Sequence, residues 1–347
     1  MTTSTTSPIL GESFAPRWLD PLAASGYRLR RAWPRGMDHL LLEVVTPHGE
    51  RVAGQWFGDQ ERARHIVGRT TGATLVGQVV LQPHGADRKL HPLASLVAEP
   101  GHRLVAHRPE RRAVVEGERG YIKVMRPEKF AAVAAGARLA HGLGIGAPEV
   151  LHEDPAVGIL ETRTLPGVPL AELLGTDAAE SSCFRAGETA ARLHAVSIPE
   201  DIELPVHGAA QEAQVLNTWK RRATHFTART FHEPAPDLPD PEATQACLLH
   251  RDLHDGQMIF DTDHDGILDL DLMAVGHPAL DVGNLLAHLE LRHEQGLMRI
   301  DVDTAERAVL EGYRPSPVVM RALPAYREAA RQRLQAVYSL RNAELAS

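Results

Sequence analysis

The sequence predicts an α+β protein of two lobes, antiparallel sheet first and mostly helix after, with an extra β-meander at the N-terminus. Three observations predict it. Residues 27–57 alternate short apolar runs with Pro/Gly turns, the punctuation of an antiparallel meander. A second set of such runs follows over 102–126, and beyond residue 170 the apolar positions recur mainly at helical spacing. At 347 residues the chain exceeds the usual single-core size, so one large two-lobed domain or two domains are expected.

Taken in order, residues 1–20 read as a polar lead whose end Trp18 docks. Strand-like runs cover 27–33, 39–45 and 51–57, separated by Pro34-Arg35-Gly36 and Pro47-His48-Gly49. A helix is expected over 59–67. Residues 70–100 are mixed, with a basic Asp87-Arg88-Lys89 and no functional reading. Sheet pattern returns at 102–108, 113–116 and 121–125, then an Ala-rich helix at 129–140. Gly142-Leu143-Gly144-Ile145-Gly146 follows a helix rather than a strand and lacks dinucleotide spacing, so it reads as a helix stop. Further helices are expected over 178–195, 211–229, 282–293, 305–312 and 317–341, with a Pro-rich loop at 234–241.

Composition narrows the function classes. Apolar content of 43% and charged content of 24% are those of an ordinary globular protein. A net charge of −8 gives no overall attraction to nucleic acid or anionic membrane. Cys183 and Cys247 lack metal or redox spacing and read as reduced thiols. The N-terminus lacks a secretory pattern and no run reaches membrane-spanning length, so a cytoplasmic protein is expected. Only four of the 37 basic residues are lysines, an arginine bias read as genome composition rather than function.

Residues 249–284 carry the chemistry. Asp252 follows His250-Arg251, and Gln257 comes five residues later. The apolar run 258–260 and a second one at 267–272, which holds Asp269 and Asp271, are expected to form a hairpin. That hairpin would bring Asp252, Gln257 and Asp269 to one point, an oxygen-rich site suited to Mg²⁺. Asp261–Gly266 copies half of a Ca²⁺ loop, but Leu272 stands where the closing Glu belongs, so a hairpin turn is expected.

The stretch His250-Arg251-Asp252-Leu253-His254 through Gln257, with Gly276-His277-Pro278-Ala279-Leu280-Asp281 beyond, resembles the aminoglycoside phosphotransferase branch of the protein-kinase-like fold. That branch reads H-G-D-L-H-x-x-N, so Gln257 stands in place of Asn. The resemblance covers roughly residues 100–340. It implies ATP between two lobes, Mg²⁺ on Gln257 and Asp269 with Asp271 in support, and Asp252 as the catalytic carboxylate. It makes His250 and Asp281 structural braces. Lys123, within Tyr-Ile-Lys-Val-Met, is similar to the strand lysine that contacts the α/β-phosphates.

Two departures accompany it. No glycine-rich loop precedes Lys123, and Arg111 or Arg112 of the corresponding turn would grip phosphate instead. The following helix offers Lys123 only Glu128, which is close in sequence. Glu161 and Arg163 fall in the hinge expected to meet the adenine. Trp219, Lys220, Arg221, Arg222, Glu290, Arg292, His293 and Tyr313 are candidates for an acceptor pocket.

The implied layout is an extension over 1–100, a kinase-like N-lobe and hinge over 101–165, and a helical C-lobe over 166–347. The implied activity is phosphoryl transfer to a small hydroxylated molecule such as a sugar, amino sugar or antibiotic. A catalytically impaired nucleotide-binding module and a kinase acting on a peptide serine or threonine remain as alternatives. Nothing in the sequence fixes an oligomeric state.

Overall fold

The computed structural model describes residues 8–10, 16–227, 229–241 and 245–341. A short helix α1 (Asp20–Ala24) leads into a five-stranded antiparallel sheet. Its strands are β1 (Arg28–Pro34), β2 (His39–Val45), β3 (Arg51–Phe57), β4 (Thr74–Val76) and β5 (Val79–Gln82), in the order β1-β2-β3-β5-β4. β2 and β3 are buried almost throughout rather than at alternate residues, because both faces are covered. On one face α2 (Gln60–Gly68), capped by the Asp59 carboxylate on the Glu61 N–H at 2.8 Å, buries Ile66 against Phe57 and Val80. On the other, Leu40, Leu42, Val44 and Trp56 meet Trp219, Phe226 and Leu340 from the C-terminal half. The Trp18 and Trp56 rings lie 4.7 Å apart, so Trp18 docks the end of the N-terminal lead as the sequence indicated.

The edge of β1 is closed by the end of the chain. The Ala32 N–H donates to the Leu340 carbonyl at 2.9 Å, and Arg31 bridges to Arg341. Strand pairing and a shared apolar core thus tie the extension to the C-terminal helices.

After α3 (Leu93–Ala98) comes a second five-stranded antiparallel sheet. It comprises β6 (Arg103–Arg108), β7 (Arg112–Glu116), β8 (Gly120–Met125), β9 (Val150–Asp154) and β10 (Ile159–Arg163), ordered β6-β7-β8-β10-β9. Helix α4 (Pro127–Gly142) packs Phe130 and Ala134 on Met125 and Leu160 of this sheet.

The remainder is mostly helical: α5 (Leu170–Leu173), α6 (Ala179–His194), α7 (Ala209–Thr227), α8 (Ala279–Glu294), α9 (Val302–Tyr313) and α10 (Pro317–Tyr338). α6 and α9 touch backbone to backbone. A Cβ on Gly187 would sit 2.1 Å from the Val309 carbonyl oxygen, and one on Gly312 2.1 Å from that of Phe184, so only glycine fits either position. No described helix is long and apolar enough to cross a membrane.

Small strands frame the motif region. β11 (Val168–Pro169), β14 (Met258–Phe260) and β15 (Asp265–Ile267) form one three-stranded sheet. β12 (Val206–His207), β13 (Cys247–Leu249) and β16 (Ala274–Gly276) form another. The expected hairpin is present, with Met258 opposite Ile267. Its second strand is shorter than the apolar run 267–272, because Asp269 turns left-handed at φ 55° and a 3₁₀ turn, Leu270–Leu272, follows. Asp265 in the preceding turn is engaged by Arg185 and Arg192, which excludes the Ca²⁺-loop pattern there. The 70–100 segment, opaque in sequence, supplies β4, β5 and α3.

Candidate active site

The loop between β13 and β14 is built around the carboxylate of Asp281, which sits in the first turn of α8 and is fully buried. It accepts the N–H groups of His250 and Arg251, each at 2.7 Å, and His194 Nε2 lies 3.2 Å away. Burial works against the Asp281 charge, but the His194 contact and the neighbouring His250 outweigh it and hold the carboxyl below its ordinary range. His250 Nε2 donates to the Leu268 carbonyl at 2.7 Å, which leaves Nδ1 to accept the Asp252 N–H at 3.2 Å. Asn284 secures the loop further by donating to the Leu253 carbonyl at 2.8 Å. Arg251 occupies the left-handed region at φ 70°, a conformation costly for a side-chain-bearing residue and held here by those bonds. Asp252 emerges with its side chain 44% exposed, 3.9 Å from Arg333.

Asp269 and Asp271 face Lys123 across the lobes. Lys123 Nζ donates to Asp269 at 3.2 Å and to Asp271 at 2.6 Å, and Arg112 reaches the same two carboxylates at 3.5 and 3.2 Å. Burial opposes the charge of Asp269, yet Lys123 and Arg112 hold its carboxyl well below the usual carboxylate range. Asp269 is therefore ionised at neutral pH, with Lys123 on one oxygen and Arg112 on the other.

Gln257 lies on a 3₁₀ turn beside His254, its amide 3.4 Å from His254 Nε2. His254 Nδ1 accepts the Gly256 N–H at 2.9 Å, and burial lowers the imidazole pKa, so the neutral ring carries its proton on Nε2. The structure places the Gln257 amide nitrogen there, and exchanging the amide's nitrogen and oxygen would give that proton an acceptor. His254, Asp255 and His288 bring ligand atoms within 4.8 Å of one another. Arg292 holds Asp255 Oδ2 at 2.7 Å and the two rings stack at 4.6 Å, while Asp255 Oδ1 and His288 Nδ1 are buried without a hydrogen-bond partner.

Two cavities meet at these residues. One of about 560 Å³ lies between the second sheet and the helical half, lined by Val114, Lys123, Ala137, Leu160, Thr162 and Leu268 among others. The other, of about 770 Å³, lies under the first sheet and contains Asp252. Arg112, Gln257, Asp269 and Asp271 line both.

Several expected residues fall elsewhere. Glu161 does not line the smaller cavity: alternation along β10 turns Leu160 and Thr162 inward, and its carboxylate meets Arg119 on the other face at 2.6 Å. At Glu161 β10 is paired with both neighbouring strands, opposite Ile122 and His152, and the residues after it, Thr162, Arg163, Thr164 and Leu165, line the cavity. Arg163 reaches the rim while bonded to Glu149 at 2.8 Å. Arg111 lines the larger cavity only, so Arg112 is the turn arginine at the junction.

The turn that replaces a glycine loop is pinned to the extension. Glu110, at φ 59°, is bound by Arg88 at 2.6 Å and Lys89 at 3.0 Å, and its N–H donates to Asp87 at 2.7 Å. Glu128 pairs with Arg126 at 3.0 Å rather than with Lys123. Of the acceptor-side candidates, Trp219 and Arg292 line the larger cavity. Lys220 instead bonds Gln332 at 2.5 Å, Arg222 approaches the Pro34 carbonyl at 3.4 Å, Glu290 pairs with Arg327 and Arg331, and Tyr313 bonds His194 at 2.8 Å. Arg221 and His293 are exposed away from the lining. Sequence reasoning missed Arg30, Arg31, Trp33, Arg108, Arg333 and Arg341, which all line the larger cavity. The one available signal was the arginine bias, read there as genomic.

A strand-borne lysine in a five-stranded antiparallel lobe, facing a braced aspartate loop in a helical lobe, defines the protein-kinase-like class. The sequence profile of the phosphotransferase enzyme family matches residues 115–328, and the chain belongs to that family. The matched span leaves the first sheet outside it. Among solved structures the chain is similar to an aminoglycoside-3'-phosphotransferase of type VIII, at 16% identity over 67% of this chain and 94% of that one, with a TM-score of 0.48. An aminoglycoside phosphotransferase from Streptomyces rimosus, in complex with ADP and streptomycin, is 19% identical over 72% of this chain and 98% of that one, with a TM-score of 0.48. A Plasmodium vivax ethanolamine kinase is 8% identical over 69% and 76% of the two chains, with a TM-score of 0.46. No curated protein sequence matches the chain.

Proposed function

We propose that this protein transfers the γ-phosphoryl group of ATP to a hydroxyl of a small molecule, with Asp252 as the catalytic carboxylate. The observation that carries the proposal is the junction: one cavity holds Lys123, the other Asp252, and Arg112, Gln257, Asp269 and Asp271 line both. The smaller cavity has apolar walls suited to a purine and a lysine placed for phosphates. The Asp269 and Asp271 carboxylates with the Gln257 amide oxygen are hard donors that fit Mg²⁺. Bound there, Mg²⁺ would neutralise charge on the phosphoryl group in transfer.

Lys123 and Arg112 would exchange their present carboxylate partners for phosphate oxygens of the nucleotide. Asp252 would orient the acceptor hydroxyl and take its proton. The acceptor oxygen forms a new bond to the γ-phosphorus as the bond from that phosphorus to the β–γ bridging oxygen breaks, and the electron pair leaves with ADP. His250 and Asp281 would hold the loop in register. Residues 1–100 read as an extension, 101–165 as the nucleotide-side lobe and 166–347 as the acceptor-side lobe. A small acceptor is favoured over a peptide because Arg30, Arg31 and Trp33 of β1 wall one side of the Asp252 cavity. A cytoplasmic setting suits an ATP-dependent enzyme whose Cys183 and Cys247 are both free thiols.

A second reading, an impaired nucleotide-binding module, is favoured by one observation: the Gln257 amide is engaged by His254. Thermal unfolding with ATP, with and without Mg²⁺, tests the nucleotide site. A ligand at a hundredfold excess over its Kd stabilises the folded state by about 2.7 kcal/mol. The proposal expects a Mg²⁺-dependent rise in Tm that Asp269→Ala removes, and no rise with any nucleotide would contradict it.

A further inference from the structure

We propose that the acceptor carries an anionic group, a phosphate ester or a carboxylate, and that an arginine cluster in the larger cavity reads that charge. The inference rests on the phosphotransferase reading above and specifies its substrate class. Nine arginines line this cavity against four carboxylates. Three of the four are engaged: Asp269 and Asp271 by Lys123 and Arg112, and Glu212 by His207 at 2.9 Å. Among the described residues, no carboxylate comes within 4.0 Å of Arg108, Arg111, Arg251 or Arg341. The Nε atoms of Arg251 and Arg333 are buried without a hydrogen-bond partner.

Glu43 meets Arg30 and Arg31, and Asp255 meets Arg292. Guanidinium groups stay protonated at neutral pH, however, so Arg108, Arg111, Arg251 and Arg341 bring positive charge with no carboxylate beside it among the described residues. Burial and the like charges of Arg112 and Arg31 push Arg108 down to about 10. Burial, with Arg31, Arg292 and Arg30 nearby, lowers Arg341 as well. Taking charge out of water unpaired is unfavourable, and an oxyanion accepting their hydrogen bonds would relieve it. A cationic amino sugar would meet repulsion instead.

The cluster is also held in place. Arg31 and Arg108 flank the Trp33 ring at 4.6 and 5.0 Å, and Arg341 lies over Tyr338 at 3.9 Å. A bulge in β1 between Leu29 and Arg31 lets consecutive residues, Arg30 and Arg31, both reach Glu43 and both line the cavity, which regular alternation forbids. ATP does not account for the charge, because among the described residues only Arg112 and Arg163 bring a guanidinium to the smaller cavity. The first sheet, which lies outside the family match, thus acquires a role: it supplies one wall of an anion-reading acceptor site.

The test is calorimetric binding to the full-length protein with ADP and Mg²⁺ present, using glycerol 3-phosphate, gluconate, glycerol and glucosamine. At least one anion should bind about tenfold or more tighter than glycerol and glucosamine, the phosphate and carboxylate arms showing which oxyanion is preferred. Arg341→Gln and Arg108→Gln, on different elements so that one misfolded variant does not end the test, should each weaken that binding about fivefold. ADP affinity should not change. Glycerol or glucosamine binding as tightly as the anions overturns the proposal, as does anion affinity unchanged in both variants. Anion binding without any ADP binding would keep the arginine site as an anion site and overturn its ligand's role as phosphoryl acceptor together with the nucleotide reading.

Discussion

The Lys123 ammonium lies 2.6 Å from the Asp271 carboxylate, although the two are 148 residues apart. The helix after the lysine strand provides no partner, since Glu128 is held by Arg126. The carboxylate partners of Lys123 therefore come from the opposite lobe, from the segment proposed to hold the metal. Lys123→Met should weaken ATP binding about 10–100-fold, the loss expected for charge-assisted hydrogen bonds to phosphate. Titration calorimetry with ATP and Mg²⁺ checks it.

Asp281 carries the loop. Replacing it by Ala leaves two buried N–H groups and a histidine contact unmatched, so Asp281→Ala should cost about 3–5 kcal/mol of stability. Denaturant unfolding would show it as a lowered midpoint with an unchanged slope.

Gln257 is one methylene longer than the usual asparagine, and its amide lies 3.4 Å from His254 Nε2. Gln257→Ala should raise the Mg²⁺ concentration needed for half-maximal ATP stabilisation by about tenfold or more, leaving ATP affinity at saturating Mg²⁺ nearly unchanged. A Mg²⁺ titration followed by Tm measures this. An unchanged Mg²⁺ requirement would take Gln257 out of the metal site.

Burial, with His254 and Arg292 adding, holds the His288 imidazole well below its ordinary value of 6.5. Burial also lowers His39 and His277. The unfolded chain takes up protons at about 6.5 while the folded one does not, so stability falls as pH drops below that value and is flat above it. Unfolding midpoints at pH 7.5 and 5.5 should differ in that direction, with a smaller difference in His288→Gln.

How much of this was legible depends on how the residues are distributed along the chain. His250, Asp252, Gln257, Asp269 and Asp281 lie within one hairpin and a helix start, so their order alone encodes their convergence. Lys123 was readable as the lysine inside a strand-like run. Asp269 turns left-handed, which aspartate tolerates, but the apolar pattern of 267–272 masked that signal and the strand end was misplaced. Glu161 depended on which β10 residues face inward, which the sequence 159–163 does not reveal. The arginine cavity is the extreme case. It joins Arg30 and Arg31 on β1 to Arg341 beyond α10, and each arginine alone looks like solvated surface.

The most direct measurement is ATP-dependent phosphorylation of the acceptor panel by the native protein and by Asp252→Asn, with ATP binding followed in parallel. The account predicts Mg²⁺-dependent transfer by the native protein, strongest on an anionic hydroxyl compound. It predicts a loss of at least about 10³-fold in Asp252→Asn with ATP affinity preserved. Full activity in Asp252→Asn would contradict it, because the proton would then be leaving the acceptor by another route.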